Sequence, residues 1–151
     1  MKILFLGIGK TKHKYLTEGI ERYRKLIGPY AAVEEIYLKE EDDKPDPVNA
    51  ESEKLGKNIP KNYYSVLLDV DGKMMSSEDL SKIIKSKRDS SVPGIVFLIG
   101  GSNGVSEKLK TKCDERLSFS RLTFTHQMIR LILSEQIYRS FCIIANKKYH
   151  K

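Results

Sequence analysis

Three glycines fall within the five residues Gly100-Gly101-Ser102-Asn103-Gly104, directly after the most strand-like run of the chain, Ile95-Val96-Phe97-Leu98-Ile99. Glycine lets a backbone approach a ligand or turn through positive φ, and open α/β sheets take their ligands at the carboxyl ends of their strands. The same loop also fits a plain strand-to-helix turn. It carries no lysine to meet a triphosphate, which favours a ligand held by backbone groups and apolar walls. Leu117-Ser118-Phe119-Ser120-Arg121-Leu122-Thr123-Phe124 mixes small hydroxyls with apolar side chains, as a wall facing adenine and ribose would. An edge strand has the same pattern.

Other chemistry is weaker or absent. Gly7-Ile8-Gly9 opens like a dinucleotide fingerprint, but the third glycine is due at position 12, where Lys12 stands. Gly9-Lys10-Thr11 resembles the end of a phosphate-binding P-loop, yet the glycine required five residues earlier is Leu4. A tight turn into the first helix explains both. His13, His126 and His150 have no metal-site spacing, so no metal is expected. His126 reads as a cap or packing residue before it reads as a base. Cys113 and Cys142 form no motif and read as small buried apolar residues in a reducing compartment.

The elements that position these residues alternate. A strand over Ile3–Ile8 precedes a helix from Lys12 to Ile27, with Leu16, Ile20, Tyr23 and Ile27 at helical spacing, ended by Gly28-Pro29. Val33–Leu38 is a second strand and Lys39–Pro47 an acidic, solvated loop. A short helix holds Val48, Glu51 and Leu55, and Tyr63–Val70 is a strand closed by a turn at Asp71-Gly72. Ser76 or Ser77 caps a helix with Leu80, Ile83 and Ile84 inside. After the glycine loop, Ser106 opens a short helix, Leu117–Phe124 is extended, and a long helix runs from about His126 to Ala145. The expected fold is one α/β domain over residues 1–151, a mainly parallel sheet with helices on both faces.

Composition narrows the setting. A chain of 151 residues can bury a real core without staples. Without a signal-peptide pattern or a run of membrane-spanning length, a cytoplasmic protein free of membrane is expected. Net charge is +7 and uneven: residues 1–30 hold seven Lys/Arg against two acids, 34–53 two against nine, and 107–151 ten against four. The basic ends are a plausible footprint for phosphate-rich partners. The last helix is apolar almost all round, which requires either a central position or a partner subunit. Arg130, Glu135 and Arg139 interrupt it, the latter two as an i,i+4 pair.

Ile99-Gly100-Gly101-Ser102-Asn103-Gly104, Leu117-Ser118-Phe119-Ser120, Leu122-Thr123-Phe124, His126-Gln127-Met128, Arg130, Glu135-Gln136-Ile137-Tyr138-Arg139 and Tyr149-His150-Lys151 together resemble the RlmH family of ribosomal large-subunit pseudouridine methyltransferases. The resemblance spans nearly the full length, least in the acidic middle. It implies a SPOUT-class fold with a C-terminal trefoil knot, S-adenosylmethionine as methyl donor and a homodimer. The implied reaction is methylation of N(3) of a pseudouridine in a large-subunit 23S rRNA hairpin loop on the assembled ribosome. Leu68, Gly100, Phe119, Ser120, Arg121, Leu122, Thr123 and Phe124 match the family's cofactor-binding segments. Arg130, Glu135, Tyr138 and Arg139 match its active-site helix, and Tyr149 and His150 its functional tail. Two departures stand out: Thr125 where members commonly have proline, and Ser140 where alanine is usual.

The implied reaction needs both reactants held close and help with a weakly acidic N(3) proton. His150 is expected as base or positioner, Arg130 as electrostatic support, and Tyr149 as a stacking partner for the base. The rival reading is a non-enzymatic RNA-binding module, which would have no specific affinity for S-adenosylmethionine.

Overall fold

The structure, a computed structural model, describes residues 1–149. Five strands, β1 (Lys2–Ile8), β2 (Ala32–Leu38), β3 (Tyr64–Met74), β4 (Gly94–Ile99) and β5 (Glu115–Ser118), form one sheet in the order β2-β1-β4-β3-β5. Every pairing is parallel. Between them run α1 (Lys14–Ile27), α2 (Pro47–Lys57), α3 (Ser77–Asp89) and α4 (Glu107–Lys112), and α5 (Met128–Ile144) follows β5. The expected parallel α/β sheet with two covered faces is the observed one.

Alternation along the strands sorts the core into two layers. Ile3, Phe5, Val66, Ile95 and Phe97 point to the face covered by α1, α3 and α5, where they meet Ile27, Leu80, Ile84, Leu133, Ile137 and Phe141. Leu4, Leu6, Leu67, Val96 and Leu98 point to the other face, against Leu55 of α2 and Leu109 of α4. β4, central and buried along its whole length, reads as a continuous apolar run for that reason. β2 lies at an edge and alternates between exposed and half-buried, which accounts for its mixed sequence. α5 occupies the centre of its face, packed on both α1 and α3. Its apolar circumference is thereby largely used within one chain, although Leu131, Ile132 and Ile143 stay half-buried.

Two boundaries differ from expectation. No turn forms at Asp71-Gly72; β3 continues to Met74, with a register shift between Leu68 and Lys73 along β5. Gly72 is what permits this crossing. A Cβ there would lie 2.8 Å from the backbone carbons of Arg116 and Leu117, closer than a side chain tolerates. The extended segment over 117–124 is a strand only to Ser118, because β5 finds its partner in β3 and nothing pairs with the residues beyond. Residues 119–127 instead form an irregular wall leading to α5.

Two glycine substitutions should act in opposite directions. Gly72→Ala should lower stability by about 1–3 kcal/mol, as overpacking against backbone does. Gly56→Ala, whose new methyl would meet Lys112 and Leu109 at 3.5 and 3.6 Å, should raise it by roughly 0.5–1 kcal/mol. Urea denaturation measures both. A neutral Gly72→Ala would mean that the two backbones have room to separate.

Candidate active site

A cleft of about 1040 Å3 opens at the carboxyl ends of β3, β4 and β5. Leu68 to Asp71 of β3, Ile99 and the glycine loop after β4, and Leu117 to Ser120 at the end of β5 line it, with Leu122 to Ile129 and His13, Tyr15 and Leu16 closing its sides. Of the residues expected to hold a cofactor, Leu68, Gly100, Phe119, Ser120, Leu122, Thr123 and Phe124 all border this space. Arg121 is exposed and does not.

The loop keeps its shape through short-range constraints. Gly104 has φ +81 and its amide donates to the Gly101 carbonyl at 3.2 Å. A side chain on Gly100 would meet Val105 at 2.8 Å and the Gly104 carbonyl at 3.2 Å, so the loop's own closure requires that glycine. Below it lies Glu51 of α2, only 2% exposed. One carboxyl oxygen of Glu51 accepts the Glu41 amide at 3.0 Å and the other has no hydrogen-bond partner. Burial first, then Asp42 and Glu40, push its pKa above the ordinary glutamate range. The neighbouring Ser52 hydroxyl accepts the Ser106 amide at 2.8 Å, tying α2 to the end of the loop. Along the cleft floor Arg116 donates twice to one Asp69 oxygen, at 2.7 and 3.0 Å, with Lys110 3.7 Å away.

Arg130 is completely buried and is not among the cleft-lining residues. Its guanidinium donates to the carbonyls of Ile8 at 2.6 Å and Gly9 at 2.8 Å and to the Thr11 hydroxyl at 3.0 Å, and it stacks 4.1 Å over the Tyr37 ring. Burial pulls its pKa down while Tyr37, Glu35 and Glu40 act against that. The partners of Arg130 are therefore the end of β1, not the open space where a reacting base would lie. Gly7 makes room for this arrangement, since a Cβ there would lie 3.2 Å from the guanidinium. Just before it in the chain, His126 lines the cleft half-buried, with Glu40 at 4.0 Å. Burial and the Arg130 charge keep its pKa below the ordinary histidine value, so the imidazole is neutral at neutral pH.

Tyr149 packs elsewhere. Its hydroxyl donates to Glu135 at 3.2 Å, its ring meets Tyr138 edge-on at 4.8 Å, and Arg139 lies 4.8 Å over it. The Glu135–Arg139 pair forms as spaced, at 2.6 Å. Glu135 lies six residues beyond Ile129, the last cleft residue on α5, a rise of about 9 Å along the helix. Tyr149 is thus held away from its own chain's cleft. His150 lies outside the described residues. The two departures from the family pattern are both accommodated: the Thr125 hydroxyl accepts the Met128 amide at 3.1 Å as an N-terminal cap of α5, and the buried Ser140 hydroxyl donates to the Gln136 carbonyl at 2.8 Å.

The sequence reading missed Asp69, Lys110, His13 and Tyr15 as parts of the cleft. The rule that ligands gather at strand carboxyl ends points to 69–71 once β3 is followed past Asp71-Gly72. The same rule points to His13 and Tyr15 once β1 is paired in parallel with β4, because α1 begins just beyond the carboxyl end of β1. Both cysteines are free; burial lifts the Cys113 thiol to about 11, and Cys142 is buried in the core. Among the described residues no group of acidic, histidine and cysteine side chains could hold a metal, and no helix is long and apolar enough to cross a membrane.

A family model described as "Predicted SPOUT methyltransferase" matches residues 1–150. The ribosomal RNA large subunit methyltransferase H of Halothermothrix orenii is 46% identical over 162 residues, covering all of both chains. That of Fusobacterium nucleatum is 44% identical over 155 residues, again covering both completely. Among solved structures, a probable methylase family protein from Haemophilus influenzae Rd KW20 aligns with a TM-score of 0.59 over 99% of this chain and 70% of its own. Its sequence is 15% identical, so this likeness concerns the fold alone.

The buried guanidinium generates the prediction for this site. Arg130→Met should cost roughly 2–4 kcal/mol, because the Ile8 and Gly9 carbonyls lose charged donors in a place water does not reach. Arg130→Lys should recover less than half of that, since one ammonium cannot match a planar fork bonded to three acceptors. Urea midpoints read both. Wild-type stability in the methionine variant would remove Arg130 from its structural place.

Proposed function

Because this chain belongs to the SPOUT methyltransferase family, we propose that it transfers the methyl group of S-adenosylmethionine to large-subunit ribosomal RNA. The acceptor in this reading is N(3) of a pseudouridine in a 23S hairpin loop on the assembled ribosome, and the working form is a cytoplasmic homodimer. One observation carries the proposal: the cleft at the carboxyl ends of β3, β4 and β5, bordered by a glycine loop and a wall of hydroxyl and apolar groups.

The residues present suit such a methyl donor. The volume matches the upper range of small-molecule sites. Backbone groups of 99–104, the hydroxyls of Ser102, Ser118, Ser120 and Thr123, and the apolar Leu68, Leu117, Phe119 and Leu122 offer polar contacts for an adenosine and cover for its faces. The bound donor would supply an electrophilic methyl on a sulfonium. What the chain adds is position, exclusion of water and help with the N(3) proton. Neutral His126 is a base within reach of the same cleft, and Arg130 acts through the wall it fixes.

Tyr149 and His150 enter this reading through a second copy. Tyr149, packed beside Glu135 and Tyr138, stands apart from its own cleft, and in this reading it would serve the cleft of a neighbour. Exposed Val70, Met74, Leu122 and Phe124 near the cleft mouth are apolar surface that a partner would cover. The trefoil knot enters this reading through the family resemblance alone.

Incubation with labelled S-adenosylmethionine and intact ribosomes, followed by mapping of the methyl group, tests the reaction. Calorimetry that finds no affinity for the donor would favour an RNA-binding module instead. Removal of residues 149–151 should leave donor affinity within about twofold and lower methyl transfer by a factor on the order of 100 or more. Mixing that truncated chain with a chain carrying Gly100→Val should restore part of the activity, through heterodimers with one intact cleft and one intact tail. Full-rate methylation by the truncated protein would leave His126 as the base to examine.

A further inference from the structure

The segment from Lys10 to Tyr15 borders the cleft without belonging to its floor, and its side chains have few partners. Tyr15 is 61% exposed, although it is a large aromatic on an ordered helix. Its ring and that of His13 lie 5.8 Å apart at 34°, and both face the cleft. Lys10, Lys12 and Lys14 are exposed on the same short stretch. Among the described residues no acid pairs with Lys10 or Lys12. Lys14 approaches Glu18 at 3.7 Å with both side chains mostly in solvent, a pairing that contributes little.

The backbone beneath these side chains is fixed at three points and the Thr11 side chain at a fourth. The Gly9 amide donates to the Leu38 carbonyl at 2.8 Å, and Arg130 holds the Gly9 carbonyl and the Thr11 hydroxyl. The Lys12 amide donates to Gln127 at 2.7 Å. The segment is therefore fastened to Gln127 of the cleft wall and to the buried Arg130, so the backbone that carries its cations keeps a set position relative to the cleft. The first turn of α1 also contains no acid and begins with Lys14, against the usual preference for negative charge there. Local stability does not account for three cations and two uncovered rings in six residues.

We propose that residues 10–15 are the RNA-docking rim of the cleft: Lys10, Lys12 and Lys14 contact phosphates, and the His13–Tyr15 ring pair stacks on an unpaired base beside the one that enters. This rests on the reading of the protein as an RNA methyltransferase and names the surface that reading lacks. The chemistry selects single-stranded RNA. Lysines recognise phosphate of any nucleic acid, whereas exposed rings add affinity only where a base is free to leave its stack. An acidic peptide would use the lysines and leave the rings idle.

The test measures binding of the full-length protein to a labelled RNA hairpin with an unpaired loop and to a fully paired duplex of the same length, over a series of salt concentrations. The triple variant Lys10→Gln, Lys12→Gln, Lys14→Gln should bind the hairpin at least tenfold more weakly at about 0.1 M salt. Its slope of log affinity against log salt should fall by roughly 2, near 0.7 for each phosphate no longer neutralised. Tyr15→Ala should weaken hairpin binding about five- to fiftyfold with the slope unchanged, and leave duplex binding alone. A control triple far from the cleft, Lys57→Gln, Lys82→Gln, Lys85→Gln, removes the same charge and should keep wild-type hairpin affinity. The three rim lysines do not line the cleft, so calorimetric affinity for S-adenosylmethionine should be unaltered in the rim triple.

Equal losses in the rim and control triples would overturn the proposal, as would wild-type binding by the rim triple or a Tyr15→Ala effect equal on hairpin and duplex. If the hairpin binds through the rim while ribosomes acquire no methyl group, the rim stands and the enzymatic reading falls. If ribosomes are methylated and the rim variants bind normally, the reverse holds.

Discussion

A positive charge buried beyond the reach of water must be met by oriented dipoles or it will not stay buried, and Arg130 is such a charge. Three acceptors meet it: the last carbonyl of β1, the carbonyl after it and the Thr11 hydroxyl. Those partners belong to the first strand and its following turn, while the guanidinium belongs to the last helix. One side chain therefore joins the two ends of the chain, and much of the site's geometry depends on it. The start of α5 is set against β1, so His126 to Ile129 face the cleft. The turn from Gly9 to Thr11 is set against α5, so Lys12 to Tyr15 border the same opening. Gly7 has no side chain because the guanidinium lies where one would project.

The opposite side of the cleft depends on a second buried group of the other sign. Glu51 stands under the glycine loop with one oxygen unpartnered, and the acidic run from Glu40 to Asp43 lies close enough to raise its pKa. That run is consequently not the wholly solvated loop its composition suggests. Glu41 is half-buried, its amide on Glu51 and its carboxylate paired with Lys54. A loop bounded below by a buried carboxyl, and shaped by glycines whose Cβ positions are filled by Val105 and Glu51, has little freedom to change. Its backbone groups are thus set in place before any ligand arrives, which lowers the cost of ordering on binding.

Much of this is legible in the sequence wherever the signal is local. The central strand, the glycine loop after it, the Ser76 and Ser106 caps and the Glu135–Arg139 pair rest on spacing within one or two turns, and each stands where spacing puts it. What escapes depends on contacts distant in sequence. Asp71-Gly72 is turn-like in composition, but β5, more than forty residues on, keeps the strand extended there. Phe119 to Phe124 continues the strand-like pattern, yet a strand needs a neighbour and the pairing of β3 with β5 ends at Met74 and Ser118. Arg130 is expected as electrostatic support because the family resemblance sets it on the active-site helix. Nothing within α5 could reveal that its acceptors lie more than a hundred residues earlier.

The apolar girth of α5 illustrates how one sequence feature divides between two explanations. Leu133, Ile137 and Phe141 lie on the sheet, and α1 and α3 flank the helix closely enough that a Cβ on Gly19 would meet Leu131 at 2.8 Å. Central position therefore accounts for most of the apolar surface, and the helix alone does not require a partner. The second copy in the proposed function rests instead on Tyr149. A basic tail beyond a buried helix should project into solvent, where its aromatic would gain nothing. Here the ring is held by Tyr138, Arg139 and Glu135 of α5. That packing holds Tyr149 against α5 and out of its own cleft, and this separation, not the girth of the helix, is the observation that the proposed second copy draws on.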